Sequence, residues 1–382
     1  MKLKNYFEPF SYKENEYFDF LPKDSILGKN VYFFSEKDNY INLENYDLVI
    51  FGVEENRNSK NKFCKIAPNF VRKKLYSLSK INENMKIIDL GNFKTGKTIK
   101  DTYFGISYIL EKILEKNVIP ILIGGSIDLV FANFIGYKNI KKNINIASVD
   151  SNLNILNENN FSFLKEIFKS KEPNLFHFLN LSYQNYFVSE EELNWIEENN
   201  FECLRMGKIR ENIKDTEIFI RDIDIFNVNL SAVRLSDSPS NFLSSPNGLY
   251  AEEICQIAKY AGMSDNISSF GIYETGIKSD DNFQSSHLTA QIIWHFIEGF
   301  YWRKADFPNK ETENYEKFIL NLNSEIFTFY KSRITERWWL EFFYNDKNER
   351  KKFILSVSHQ DYINVLNGNL PERWLKFYKK FL

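Results

Sequence analysis

Val118-Ile119-Pro120-Ile121-Leu122-Ile123-Gly124-Gly125-Ser126-Ile127-Asp128 decides the fold of this 382-residue chain. A short β-rich apolar run breaks at a glycine pair, and Asp128 stands where a helix opens. In a parallel α/β sheet such a turn marks the carboxyl end of a strand, the end at which ligands gather.

Outward from this stretch the same unit recurs. Apolar runs at Leu48 to Val53, Lys86 to Leu90, Val118 to Ile123, Ile144 to Val149, Leu175 to Leu181, Phe201 to Leu204, Ile225 to Leu230 and Ser268 to Tyr273 predict eight strands. Helical periodicity lies between them. Asp101 to Lys116 repeats Ile106, Ile109, Leu110 and Ile113, with Asn117 as its stop; Ser189 and Glu192 form a capping box; Tyr250 to Tyr260 ends at Gly262; Ser286 to Trp302 carries Leu288, Ile292, Phe296 and Phe300 on one face. The expected architecture is three-layer α/β/α, with a mostly parallel sheet of about eight strands. It divides into an N-terminal extension (1–45), the α/β domain (46–310) and, after the joint Asp306-Phe307-Pro308-Asn309-Lys310, a helical and aromatic extension (311–382) packed on the core.

Bulk properties narrow the partners. Basic and acidic residues number 49 and 51, a formal charge of -2, which offers no broad electrostatic surface to nucleic acid or anionic lipid. The best apolar runs fall far short of the ~18 to 20 residues a membrane span needs. Cys64, Cys203 and Cys255 are scattered, with no CxxC, so a disulfide framework is not expected and a reducing cytoplasm is. The bias to Lys, Asn, Ile, Phe and Tyr, with runs such as Asn157-Glu158-Asn159-Asn160, points to an AT-rich bacterial genome.

Three strand-end turns hold the candidate chemistry: Gly124-Gly125-Ser126-Ile127-Asp128, then Asp150-Ser151-Asn152-Leu153-Asn154, then Asn229-Leu230-Ser231. Together with Leu230-Ser231-Ala232-Val233-Arg234, Ser245-Pro246-Asn247-Gly248, Arg337-Trp338-Trp339 and Pro371-Glu372-Arg373-Trp374, they make the chain resemble the arginase, agmatinase and formimidoylglutamase (ureohydrolase) family over nearly its whole length. The resemblance is strongest to a formimidoylglutamase-like branch of the Bacteroidetes type. It implies an arginase-like fold, hydrolysis of C–N bonds in linear amidines, a homo-oligomer, and two manganese ions that activate a bridging hydroxide.

In that family the three turns read Gly-Gly-Asp-His, Asp-x-His-x-Asp and Phe-Asp-x-Asp. Carried over position by position, the first histidine falls on Ile127, the second motif gives Asp150, Asn152 and Asn154, and the third gives Asn229 and Ser231. Only Asp150 is retained. Four positive charges would face neutral amides, a hydroxyl and an isoleucine, so no dinuclear site and no cofactor are expected, or at most one weakly bound divalent cation. A shifted register using Asp222-Ile223-Asp224 would restore an acidic pair, but these residues precede the strand.

Other candidates stay open between functional and ordinary readings. Glu274, in Gly271-Ile272-Tyr273-Glu274-Thr275-Gly276, stands where the resemblance puts a carboxylate facing a guanidinium or formimino group; otherwise it is a solvated strand-end acid. Asp128 is either a helix cap or, with Asp150, a ligand for one hard cation. Arg234 either reaches Asp150 or Asp128 and replaces metal charge, or is an ordinary structural arginine. His287 and His295 lie two turns apart on one helix, too far to share a metal, while His177, His359 and Cys203 read as structural. Three functions remain: an impaired or non-catalytic ureohydrolase homologue that binds a cationic small molecule, an active amidine hydrolase with a remodelled site, and an assembly partner.

Overall fold

The computed structural model describes residues 3–11, 21–38, 40–156, 161–170, 173–243, 245–277, 280, 282–308, 313–322, 325–346 and 349–382. The asparagine-rich run 157–160 and the end of the joint at 309–310 lie outside the described residues.

The strands are β1 (Phe7–Glu8), β2 (Val31–Phe33), β3 (Leu48–Val53), β4 (Ile87–Phe93), β5 (Ile119–Ile123), β6 (Asn143–Val149), β7 (Asn174–Tyr183), β8 (Glu202–Arg205), β9 (Ile225–Asn229), β10 (Ser269–Tyr273), β11 (Tyr315–Leu322), β12 (Glu325–Ser332), β13 (Trp338–Asp346) and β14 (Glu349–Val357). The helices are α1 (Ala67–Leu75), α2 (Ile99–Leu114), α3 (Leu129–Ile135), α4 (Phe163–Lys169), α5 (Glu190–Glu198), α6 (Met206–Glu211), α7 (Thr216–Ile220), α8 (Ala251–Met263), α9 (Gln284–Tyr301), α10 (His359–Leu366) and α11 (Glu372–Lys379).

All eight expected strands join one sheet in the order β1-β4-β3-β5-β10-β9-β6-β7-β8, with β2 also on β4. The pairings of β3 through β10 are parallel, and β1 alone runs antiparallel. The sheet has ten strands rather than about eight because the N-terminal segment supplies two short ones: β2 covers the start of β4 and β1 its end. Strands of two and three residues leave no readable periodicity.

Two apolar layers enclose the sheet. One packs α1, α8 and α9 against Ile50, Ile121, Phe226 and Phe270, the other packs α2, α3 and α4 against Phe51, Leu122, Ile146 and Tyr273. Each such side chain, fully buried, stabilises the fold by about 1.5–3 kcal/mol. The capping boxes at Thr98–Asp101 and Ser189–Glu192 open α2 and α5, and Asn117, at φ 56°, ends the α2 turn. Gly262 is not the expected stop. It lies inside α8, where a Cβ would come 2.1 Å from Phe296 O and 2.9 Å from Gly299 Cα of α9, so two glycines let these helices cross.

The C-terminal expectation needs correction in kind. After the joint comes a four-stranded antiparallel sheet, β11-β12-β13-β14, followed by α10 and α11. Its own core joins Phe327, Phe329, Trp338, Leu340, Phe342, Trp374 and Phe377, and Phe176 of β7 packs against it. Trp338, Trp339 and Trp374 are therefore buried rather than displayed. No helix among the described residues is long and apolar enough to cross a membrane.

Candidate functional site

The carboxyl ends of β5, β10, β9 and β6 stand side by side in the sheet. Two left-handed glycines turn the chain out of β5, Gly124 at φ 85° and Gly125 at φ 78°. A Cβ at Gly124 would meet Pro68 Cγ at 2.5 Å, so the turn also needs glycine for space. It is stitched to β10, since Gly124 N donates to Ile272 O and Glu274 N donates to Gly125 O.

This stitching sets Glu274. Its backbone lies at φ 62°, a strained conformation for a side chain of its size, and Asn61 Nδ2 holds its carbonyl at 3.0 Å. Its carboxylate accepts from Ser59 Oγ at 2.6 Å and from Ile127 N at 3.0 Å. Burial, against these donors, pushes the Glu274 carboxyl up to about 7, with the charges of Asp128 and Asp150 adding to the rise.

Asp150, the acid that the resemblance carries over, lies just past β6 and is 4% exposed. Asn229 Nδ2 donates to Asp150 Oδ2 at 2.8 Å, Ser231 Oγ to Oδ1 at 3.0 Å, and Asn152 N to Oδ1 at 3.3 Å. Ser231 N in turn donates to Asn229 Oδ1 at 3.0 Å, which fixes the amide with its nitrogen toward the acid. Burial raises the Asp150 carboxyl to about 6, with Asn229 foremost in opposing the rise.

Above these groups opens a cavity of ≈ 420 Å³. Of the positions singled out in the sequence, Ile127, Asn152, Asn154, Asn229, Ser231 and Glu274 line it. The sequence reading missed the segment after β3: Arg57, Asn58, Ser59 and Asn61 form another wall, and Phe161 and Phe242 complete it. That segment also follows a parallel strand, the one signal available for it.

Asp128 lies at the N-cap of α3 without capping it. Its buried carboxylate is closed in by Ser126 Oγ, Tyr103 Oη and Asn58 Nδ2, and burial raises its pKa. Arg57, at the cavity wall, is tied to Glu55, Thr102 and Lys97 O. Among the described residues no three His, Cys, Asp or Glu are grouped to hold a metal ion.

Arg234 is a correction. It ion-pairs with Asp237 at 2.9 Å and lies over the Tyr250 ring at 4.1 Å, lining a separate depression rather than reaching Asp128 or Asp150. The shifted register also fails. Asp222 and Asp224 precede β9, where Asp222 binds Ser356 and Arg373 and Asp224 binds Lys141 and Asn145 N. His177 is buried within 2.9 Å of Glu202, with burial lowering it to about 4, and His359 stacks on Trp338 and Tyr362.

No family model matches the chain. It is similar to formimidoylglutamase of Staphylococcus haemolyticus, 23% identical over 261 residues, covering 64% of this chain and 82% of that one. Formimidoylglutamase of Staphylococcus aureus strain Newman is 20% identical over 250 residues, 62% and 79% of the two chains. Among solved structures, formimidoylglutamase of Bacillus subtilis superposes with TM-score 0.65 at 17% identity, over 76% of this chain and 97% of that one. A manganese-containing formiminoglutamase of Trypanosoma cruzi gives 0.62 at 17% over 69% and 97%, and agmatine ureohydrolase of Thermoplasma volcanium 0.55 at 16% over 74% and 96%. With the sheet order, the strand-end turns and these relatives in agreement, the chain has an arginase-like α/β fold and resembles, as a divergent sequence, the formimidoylglutamases and their relatives.

Proposed function

We propose that this chain keeps the ureohydrolase fold as a small-molecule binding protein and has lost the two-manganese catalysis of its relatives. One observation carries the reading: Asp150 is occupied by Asn229 and Ser231, side chains at positions to which the resemblance assigns metal ligands. Donors that point hydrogens at a carboxylate compete with a metal for the same oxygens.

The remaining positions fit manganese no better. Ile127 offers no lone pair, and Asn152 and Asn154 bring no charge to offset a pair of doubly charged ions. A bridging hydroxide therefore has nothing to hold it. At most a single hard cation would bind weakly between Asp128 and Asp150.

What the cavity supplies instead is recognition. Buried acids whose carboxylates bond to no cationic side chain, Glu274 above all, favour a ligand carrying its own positive charge, such as a guanidino or formimino compound. The chain would assemble as a homo-oligomer, as its relatives' fold allows.

A second reading rests on Glu274 alone. A buried acid brought to about 7 and held in a strained backbone has the proton affinity of a general base near neutrality. In that case the protein is an amidine hydrolase with a remodelled, metal-independent site.

The test is to reconstitute the chain with Mn²⁺, measure bound metal, and assay product from formiminoglutamate, arginine and agmatine. Substoichiometric manganese and no turnover, with a raised melting temperature in one of these compounds, is the expected result. Two manganese ions per chain with turnover defeats the proposal, and turnover unaffected by chelators selects the second reading.

A further inference from the structure

Beneath the cavity floor the sheet carries a row of polar side chains that the binding reading does not use. Asn180 of β7 lies opposite Ser148 of β6, Ser148 opposite Asn227 of β9, and Asn227 opposite Gly271 of β10. Ile146, Phe178 and Ile225, two residues earlier on the same three strands, belong to the apolar layer under α2, α3 and α4. Strand alternation therefore turns the whole row into that layer. Asn180, Ser148 and Asn227 are 1%, 1% and 0% exposed.

An apolar layer is the wrong place for such groups unless something satisfies them. Asn180 Nδ2 donates to Asn152 O and Asn227 Nδ2 donates to Ala147 O, both at 3.3 Å, so both amide nitrogens are committed to the backbone. The other halves of these amides, Asn180 Oδ1 and Asn227 Oδ1, and Ser148 Oγ between them, have no protein partner. The row is thus an array of oxygens left over after the nitrogens are spent.

Its profile is uneven. Serine is much shorter than the asparagines that flank it, so the centre of the row is recessed. At Gly271 the side chain is missing altogether, and the Tyr273 hydroxyl lies 2.2 Å from where a Cβ would stand. Four neighbouring strands, β7, β6, β9 and β10, in this way direct oxygen toward one layer.

We propose that this row binds one buried monovalent cation of the sodium or potassium kind. Amide and hydroxyl oxygens are hard, neutral donors, suited to a hard ion and unsuited to zinc or copper, which seek nitrogen and sulfur. Charge selects the valence. Asp150 follows Ser148 by two residues on the same face, about 7 Å along the strand, and one carboxylate balances one positive charge but not two. The site is separate from the pocket above but shares the charge of Asp150 with it, so the ion is measured with no pocket ligand present. Bridging waters are the competing occupant, and the experiment separates the two.

The full chain is dialysed into choline chloride and melted at constant ionic strength in choline, lithium, sodium or potassium chloride. Sodium or potassium is expected to raise the melting temperature saturably, on the order of 4 °C at a hundredfold excess over the dissociation constant, and about one alkali ion per chain should survive desalting by atomic emission. Ser148→Ala removes the central oxygen and should abolish the ion-specific rise while the melt in choline persists. Should that variant fail to fold, Asn227→Ser keeps an oxygen at shorter reach and should move the salt midpoint at least about tenfold upward. Equal melting in all four chlorides overturns the proposal in favour of waters, and an ion-specific rise that survives Ser148→Ala places the ion elsewhere and overturns it as well.

Discussion

The two ends of the central sheet bury acids in opposite ways. At the amino ends of the strands, where the C-terminal unit meets the core, Arg373 reaches Glu202 at 3.3 Å and Asp222 at 2.9 Å, and Arg221 reaches Glu217 at 3.1 Å. At the carboxyl ends, Asp128, Asp150 and Glu274 receive only hydroxyls, amides and backbone N–H groups. The titrations follow in part. Burial raises Glu202, but Arg373 and His177 overcome it and bring the carboxyl to about 2; burial wins at Asp150 and Glu274, which rise to about 6 and about 7, and also at Asp222 in spite of Arg373. The first end supplies countercharge from its own chain and acts as a weld; at the second, Glu55 is paired with Arg57 but Asp150 and Glu274 bond to no cation.

The largest test of this contrast removes the guanidinium that serves both acids. Arg373→Leu leaves Glu202 and Asp222 buried without their cation and is expected to cost about 3–5 kcal/mol of stability, read as a lower denaturation midpoint. A loss under about 1 kcal/mol would show that the seam is not held by charge.

At the other end, Asn229→Asp replaces the donor on Asp150 with a second carboxylate. The expected cost is about 1–3 kcal/mol at neutral pH, shrinking as the pH falls toward 5, because like charges favour a shared proton. Added Mn²⁺ should recover part of the loss in this variant and none in the parent chain. Recovery of equal size in both would remove the distinction drawn at Asp150.

The smallest effect is a slope. Glu274 has a raised folded-state pKa, about 7 against an ordinary 4.5, so the folded protein holds its proton over a range where the unfolded chain has lost it. Its contribution is present below about 4.5 and is lost as the pH rises through about 7. Glu274→Gln, which still offers an oxygen to Ile127 N, should flatten the fall in melting temperature between pH 5 and pH 8. An unchanged slope would mean that this acid is ionised throughout.

The sequence made much of this legible, for identifiable reasons. Strands such as Leu48–Val53 are buried on both faces, so a continuous apolar run marks them without ambiguity. The places of Ile127, Asn229 and Ser231 around one cavity were equally plain, since they stand at or just past strand ends that the glycine pair and the apolar runs already mark. The extension was misread because Tyr315, Phe318, Ile319 and Leu322 repeat at helical spacing while the structure pairs them as β11 with β12. Periodicity alone does not separate a partly exposed strand from a helix there.

Residue chemistry along the chain, then, determined the layered fold and set the polar strand-end turns that line the cavity. Only the folded arrangement decided who faces whom: Asn229 and Ser231, about eighty residues from Asp150, close on its two oxygens, while Arg234 turns away to Asp237. Hydrogen bonds and ion pairs act over a few ångströms, and distance along the chain carries no record of that contact.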